Sequence, residues 1–393
     1  MSSMQADDSG AVVVPAIASG SSVTSIRSLG RHGVRTIAAV EGPGNPVAQS
    51  RYCDETYVVP SPGEDLSRYT DSLLNIAQRD DVVTIVPLRE PDIYVLSKHR
   101  AAFAEHIATP WPDYETIQLV QDKYQLVDEA SGIGVPVPET DLLCDREDWD
   151  DTTVVKSRYS ILEQADGTTF YPGVEFVSGG APDTDQLVRE MRHEPIAQEY
   201  VPGDRECGFF ALFDHGEAVA IFAHERIRSY NYAGGASVYR KAVSVPELQY
   251  HGIRLLEHLD WHGPAMVEFK RDERDGSYRL MEINPRFWGS LALAVAAGVD
   301  FPSLYYEVAT GGVTDPFPTY ETGTSCHLFR GEMSYLYSLL VDDYDHVERP
   351  ALGSELATVL ASFVRQPNFD YLSRDDPKPP LKDVLNAATG LFR

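Results

Sequence analysis

Lysine is what this chain most lacks. Of 33 basic residues among 393, seven are lysine and the rest arginine; acidic residues number 60 and the formal net charge at pH 7 is -27. No block of like charge dominates, so the acid excess is spread over the surface. That pattern suits a halophilic-type acidic surface kept soluble in high salt, an expectation checked by whether the fold weakens at low ionic strength. A basic face able to neutralise phosphates along a strand is missing, which excludes nucleic acid as the expected partner. Cysteine is scarce too: Cys53, Cys144, Cys207 and Cys326 lie far apart with no CxxC, so neither a zinc site nor a disulfide framework is expected. A reducing, cytoplasmic setting is the default for such usage. The longest apolar run, 291–299, is about half a bilayer span, so no membrane partner is expected. Residues 1–10 are polar and acidic and read as a loose tail rather than a leader. Neither an internal repeat nor a long low-complexity tract is present.

What remains is an ordinary globular composition, 43% hydrophobic, in a chain long enough for roughly two to three domains. Strands are expected at 11–17, 36–40, 56–59 and 82–87, with helices at 22–29, 66–78 and 91–106 between and after them. Such alternation predicts an open, mainly parallel α/β sheet. The first loop, Gly20-Ser21-Ser22, is not GxGxxG, so a dinucleotide site is not supported. Ligands of open α/β sheets bind at the carboxyl ends of strands, where Ser21, Arg89 and Glu90 fall as substrate contacts or as structural residues.

From Tyr114 the texture changes. A helix over 115–130 runs into SGIGVPVPET, and a β-branched strand, 152–156, ends in Lys156. Segment 195–206 reads as a strand, a Pro-Gly turn and another strand. A hairpin follows over 209–213 and 218–223. Arg226 and Arg228, beside Gly234-Gly235, suggest a mobile cationic loop able to clamp a carboxylate or acyl phosphate, with His224 structural. Helices are expected at 246–259, 287–297 and 302–310, the last two ended by Gly298 and by Gly311-Gly312. The last stretch, with its Pro-rich DDPKPP, reads as a helical appendage without chemistry.

The most informative stretch is 265–290, AMVEFKRDERDGSYRLMEINPRFWGS. Period-two alternation on both sides of an Asp-Gly turn is the sequence form of a β-hairpin. A three-residue loop, Arg274-Asp275-Gly276, would pair Glu268 with Glu282 and place Asn284 on the same face. A two-residue loop would send the two glutamates to opposite faces. Opposed carboxylates repel unless a cation sits between them, and Mg²⁺ accepts one or two carboxylates and fills its shell with phosphate oxygens and water.

This hairpin, with Pro285-Arg286 directly behind it, resembles the metal-binding hairpin of the ATP-grasp superfamily, and the wording EINPRFWGSL…AGVDFPSLYYEVATG resembles its carboxylate–amine ligases. The resemblance implies an α/β and α+β protein: an N-terminal open, mainly parallel, Rossmann-like pre-ATP-grasp domain (11–113), a small lobe (114–194) and a large lobe with the metal site (195–312), then a helical C-terminal extension (313–393). It implies ATP with Mg²⁺ or Mn²⁺, held by Glu268, Glu282 and Asn284, with Arg286 as the catalytic cation. Lys123, in the helix before GIGVPVP, and Lys156 become phosphate ligands. Gln198, Glu199 and Val201 would line the adenine and Glu206 the ribose; Arg226 and Arg228 would face the substrate. A single Gly in 157–169 departs from the family's Gly-rich lid, so no lid residue is assigned. The implied reaction joins a small carboxylate to an amine through an acyl phosphate, with ADP released. Carboxylation through carboxyphosphate and a non-catalytic ATP-binding regulator are the alternatives. The substrates' identities and the oligomeric state, a homodimer included, are left open.

Overall fold

The computed structural model of the protein describes residues 10–164, 166–344 and 347–390; except for Gly10, the expected tail 1–10 lies outside them. The chain begins with β1 (Ala11–Ala16), α1 (Gly20–Arg31), β2 (Arg35–Val40), β3 (Glu55–Val58), α2 (Leu66–Ala77), β4 (Val82–Ile85), α3 (Glu90–Lys98) and α4 (Arg100–Ala104). The four strands form one parallel sheet in the order β3-β2-β1-β4. β1 is apolar throughout because both its faces are covered: Val12 and Val14 enter one core and Val13 the other. The expected helix 91–106 is two, since His99 leaves the helical region at φ -111°, ψ 23°.

The expected helix 115–130 is also divided. α5 (Tyr114–Gln121) stops at Asp122, whose carboxylate accepts from the amides of Tyr124 and Gln125 and caps α6 (Lys123–Gly132). Aspartate is a better helix cap than interior residue. Arg158 fixes it through two hydrogen bonds of 2.8 and 2.6 Å. Lys123 therefore opens a helix instead of lying within one.

Next come β5 (Thr140–Leu142), β6 (Thr153–Lys156), the short hairpin of β7 (Leu162–Glu163) and β8 (Thr169–Phe170), β9 (Val174–Val177), α7 (Thr184–Met191) and β10 (Ile196–Glu199). A small antiparallel sheet, β5-β10-β6-β9, packs Val155 and Ala197 against Leu187 and Met191 of α7.

The third sheet is built from β11 (Glu206–Asp214), β12 (Glu217–Asn231), β13 (Gly234–Ala242), and, after α8 (Pro246–His258), β14 (Gly263–Arg271) and β15 (Tyr278–Asn284). α9 (Leu291–Ala297) and α10 (Phe301–Ala309) pack in the core shared with the first sheet, and β16 (Ser325–His327) completes the order β15-β14-β11-β12-β13-β16. The stretch 224–237 is thus an extended antiparallel hairpin and not the expected mobile loop. α9 starts later than expected because the Phe287 amide is used by the carbonyl of Pro87, which holds 285–290 irregular.

The C-terminal helices α11 (Phe329–Val341), α12 (Leu352–Arg365) and α13 (Lys378–Gly390) are helical as expected, but the segment is more than an appendage. α11 packs on β12, and the chain then returns to the first sheet. Arg240 and Asp370, both almost fully buried, pair at 2.7 Å. Asp376, inside DDPKPP, accepts from Arg27 Nε at 2.8 Å, the Ser50 hydroxyl at 2.7 Å and the Arg51 amide at 3.0 Å. Among the described residues no single helix is long and apolar enough to cross a membrane.

Two neighbouring aspartates should respond differently to removal. Asp376→Ala leaves the buried Arg27 without its carboxylate and is expected to cost about 3–5 kcal/mol. Asp375, paired with Arg31 where both side chains are about two-fifths exposed, should cost under about 1 kcal/mol as alanine. Urea midpoints of the two variants check this; equal costs would show that the C-terminal segment is not anchored through Asp376.

Candidate active site

The β14–β15 ladder sets Glu268 opposite Glu282 and Met266 opposite Asn284. The turn is not the expected three-residue loop. The Asp272 amide donates to the Ser277 carbonyl and the Gly276 amide to that of Asp272, so four residues, 273–276, make the connection, with Gly276 at φ +79°. A four-residue loop in a regular ladder would face Glu268 with Met281 and turn Glu282 towards the core. Instead the register shifts by one between Glu268 and Phe269: Phe269 faces Leu280, Glu268 faces Glu282, and Met281 is the extra residue. This β-bulge sends Leu280 to the core and both Met281 and Glu282 to the cleft.

Asn284 Nδ2 donates to Glu268 Oε1 at 3.3 Å and to Glu282 Oε1 at 3.0 Å, so an amide stands between the two carboxylates where a cation would. Burial, then repulsion from Glu282, pushes Glu268 up to about 7. Burial also works against charge on Glu282, but Lys123, the Asn284 hydrogen bond and Lys156 outweigh it and hold that carboxyl below its usual range. Two carboxylates and a carboxamide on one sheet face fit a hard divalent cation such as Mg²⁺ or Mn²⁺.

A cleft of about 470 Å³ separates this face from the small sheet. Lys156 enters it from β6, and burial together with the Lys123 charge lowers its ammonium to about 8. Lys123 Nζ donates to Ser160 Oγ at 3.1 Å. Gln198, Glu199, Val201 and Glu206 all line the cleft. The Glu199 carboxylate is already engaged by the Glu139 amide and by Arg274 and its own amide by the Glu139 carbonyl at 2.8 Å, while Gln198, whose Nε2 donates to Thr140 Oγ1, is paired on both sides within the small sheet. The Val201 amide donates to nothing among the described residues. Arg226 pairs with Glu206 and lies 3.5 Å from Glu268 Oε2, inside the cleft.

Arg228, expected at the substrate, is elsewhere. Its guanidinium is buried against Glu332 at 2.8 and 3.0 Å and Ser362 at 2.7 Å, and lies over the Tyr239 ring, so it holds α11 and α12 to the sheet. On an extended strand a residue two on from Arg226 should share its face, but a register shift between Arg226 and Arg228 turns Arg228 away. Arg286 donates to Asn284 Oδ1 at 2.9 Å and to Glu90 Oε1 at 2.8 Å. Glu90 thus serves to hold Arg286 at the carboxyl edge of the first sheet. Arg89 is tied to Glu41, Asp92 and Tyr69, and Ser21 bonds Ser19 at the start of α1; both are structural here.

Several cleft residues escaped the sequence reading. Val154, Phe176 and Met281 supply apolar walls, and Lys270 lies over the Tyr200 ring. Val154 was findable as the residue two before Lys156 on one strand; Met281 was not, because only the bulge turns it inward. The β7–β8 hairpin, in the region where no lid residue was assigned, docks on the first domain: Glu163 accepts from Lys98 at 2.6 Å and Tyr94 at 2.8 Å, and the Gly167 carbonyl from the Leu66 amide.

Two sheets thus face each other across the cleft beside a parallel α/β sheet, and two stretches of the chain match known families. Residues 193–329 match the family described as ATP-grasp in the biosynthetic pathway with Ter operon, and residues 17–109 match the PylC-like N-terminal domain. By the first of these matches residues 193–329 are similar to ATP-grasp proteins. Among solved structures it is similar to Rhizobium etli pyruvate carboxylase (18% identity, TM-score 0.59), covering 78% of this chain but only 28% of that one. It is also similar to the biotin carboxylase domain of Hydrogenobacter thermophilus 2-oxoglutarate carboxylase, in complex with MgADP, ADP and bicarbonate (15%, TM-score 0.63; 80% of this chain, 73% of that). A third is L-amino acid ligase from Bacillus licheniformis (16%, TM-score 0.56; 79% and 74%).

The lowered Lys156 gives a signed pH test. Raising pH through about 8 discharges Lys156 in the free cleft, whereas bound polyphosphate would keep it protonated. Affinity for ADP should therefore fall above pH 8, by up to about tenfold per pH unit, and Lys156→Met should flatten the slope. A wild-type affinity unchanged from about pH 7 to about pH 10 would remove Lys156 from the phosphate site.

Proposed function

We propose that the protein is an ATP-dependent carboxylate–amine ligase. The observation that carries this reading is the convergence of Glu268, Glu282 and Asn284 on one face, with Lys123 and Lys156 close enough to act on Glu282 electrostatically and Arg286 bonded to Asn284. Polyphosphate needs such an arrangement: positioned positive charge and an in-line path, with little covalent work for the protein. The adenine would lie between Val154 and Met281 and be read by the backbone near Val201; Glu206 would face the ribose. Lys123 and Lys156 would neutralise phosphate oxygens. Mg²⁺, held by the three hairpin side chains, would supply charge neutralisation at the phosphates.

The carboxylate of the first substrate attacks the γ-phosphorus of ATP, breaking its bond to the β-γ bridging oxygen and giving an acyl phosphate and ADP. The amine then displaces phosphate, loses a proton and leaves an amide. Arg286, a planar fork already oriented by Glu90 and Asn284, is suited to the anion that forms in each step. A second reading, carboxylation through carboxyphosphate, is favoured by the two carboxylases among the similar structures.

ADP release separates the readings. With panels of small carboxylates and amines, ADP formation that needs both supports the ligase; ADP formation that needs bicarbonate supports the carboxylase, and nucleotide binding without turnover contradicts both. Arg286→Lys should keep ADP affinity within about threefold while turnover falls by about 10²–10³. Turnover equal to the wild type would take Arg286 off the reacting anion.

A further inference from the structure

The C-terminal helices show the wrong surface for a chain with a net charge of -27. On α12 only Val359 is fully buried, while Leu352, Leu356, Leu360 and Val364 repeat every fourth residue along one exposed stripe, 38–83% exposed. α11 presents a second stripe, Met333, Tyr337 and Leu340, flanked by Phe329 and Val341, 40–63% exposed. The helices pack on each other through Tyr335, Leu336, Leu339, Val359 and Phe363. Nearly all their charge is used elsewhere: Glu332 on Arg228, Glu355 on the Tyr335 hydroxyl and Arg330 on Asp383, which leaves Arg365. An amphipathic helix with its apolar stripe outward has its burying partner outside the chain's own fold.

We infer that this α11–α12 face is the interface at which a second copy of the chain docks to form a two-fold dimer. Nine large side chains at these exposures offer on the order of 800 Å² of apolar surface, the area per partner of a standard stable interface and more than the roughly 300–600 Å² patch of a typical monomer. The α12 stripe is an i±4 ridge, and two identical ridges related by a two-fold axis fit into each other's grooves. Its freedom from charge lets two strongly acidic bodies meet without opposing carboxylates at the contact, whereas an anionic lipid surface would repel the rest of the molecule. Residues 1–9 carry Met1, Met4 and Ala6 as their only apolar side chains, too few to cover the face.

Sedimentation velocity of the full chain tests this. A dimer is expected at micromolar concentration, tightening from about 0.1 M to about 1 M salt as repulsion between the acidic bodies is screened. Leu360→Asp and Val364→Asp, at positions 54% and 83% exposed, should each raise the dimer dissociation constant by at least about thirtyfold with circular dichroism and ADP affinity unchanged. A wild-type monomer at both salt concentrations overturns the inference, whether or not the face then binds neutral lipid vesicles or another protein. A dimer that survives both substitutions overturns it equally.

Discussion

Two carboxylates forced together on paired strands are the constraint around which the molecule is arranged. Directly opposed Glu268 and Glu282 destabilise their own hairpin unless positive charge or a hydrogen-bond donor stands between them. The fold answers with the Asn284 amide on one side, Lys123 and Lys156 across the cleft, and Arg226 beside Glu268. In a protein with seven lysines, two of them act on this one pair. Positive charge is thus concentrated here against the trend of the sequence.

The same constraint explains why the site is not confined to one lobe. Arg286, just after the β14–β15 hairpin, is held by Glu90 of α3; the next amide, Phe287, bonds the Pro87 carbonyl just after β4. The carboxyl edge of the first sheet is thereby bolted to the hairpin. The β7–β8 hairpin ties the small lobe to the same domain through Glu163 and Gly167. The C-terminal segment closes the assembly from the far side, through Asp370 on Arg240 and Asp376 on Arg27.

What could be read in the sequence was what local pattern alone decides. The largely apolar runs of β1, β2 and β4 became the buried strands of the parallel sheet, while β3 at its edge is half exposed. Alternation placed Glu268, Glu282 and Asn284 on one face, yet by a turn that the chain does not use. A three-residue loop and a four-residue loop followed by a bulge give the same facing at Glu268, and no local signal separates them. Asp122 shows a different limit: helical periodicity continues across it, and only the arginine from 158 reveals that it caps a new helix. Arg228 and the segment after 313 were misjudged for one reason. Their partners, Glu332, Arg240 and Arg27, are far away in sequence, and a buried ion pair between distant residues leaves no periodic trace.

The most direct measurement is an anomalous-scattering map of crystals grown with ADP and Mn²⁺. A single strong peak is expected between the side chains of Glu268, Glu282 and Asn284, with the β-phosphate on the side of Lys123 and Lys156, and no peak there in a Glu282→Ala crystal. A nucleotide in the cleft with its metal held elsewhere, or no metal near either glutamate, would contradict this.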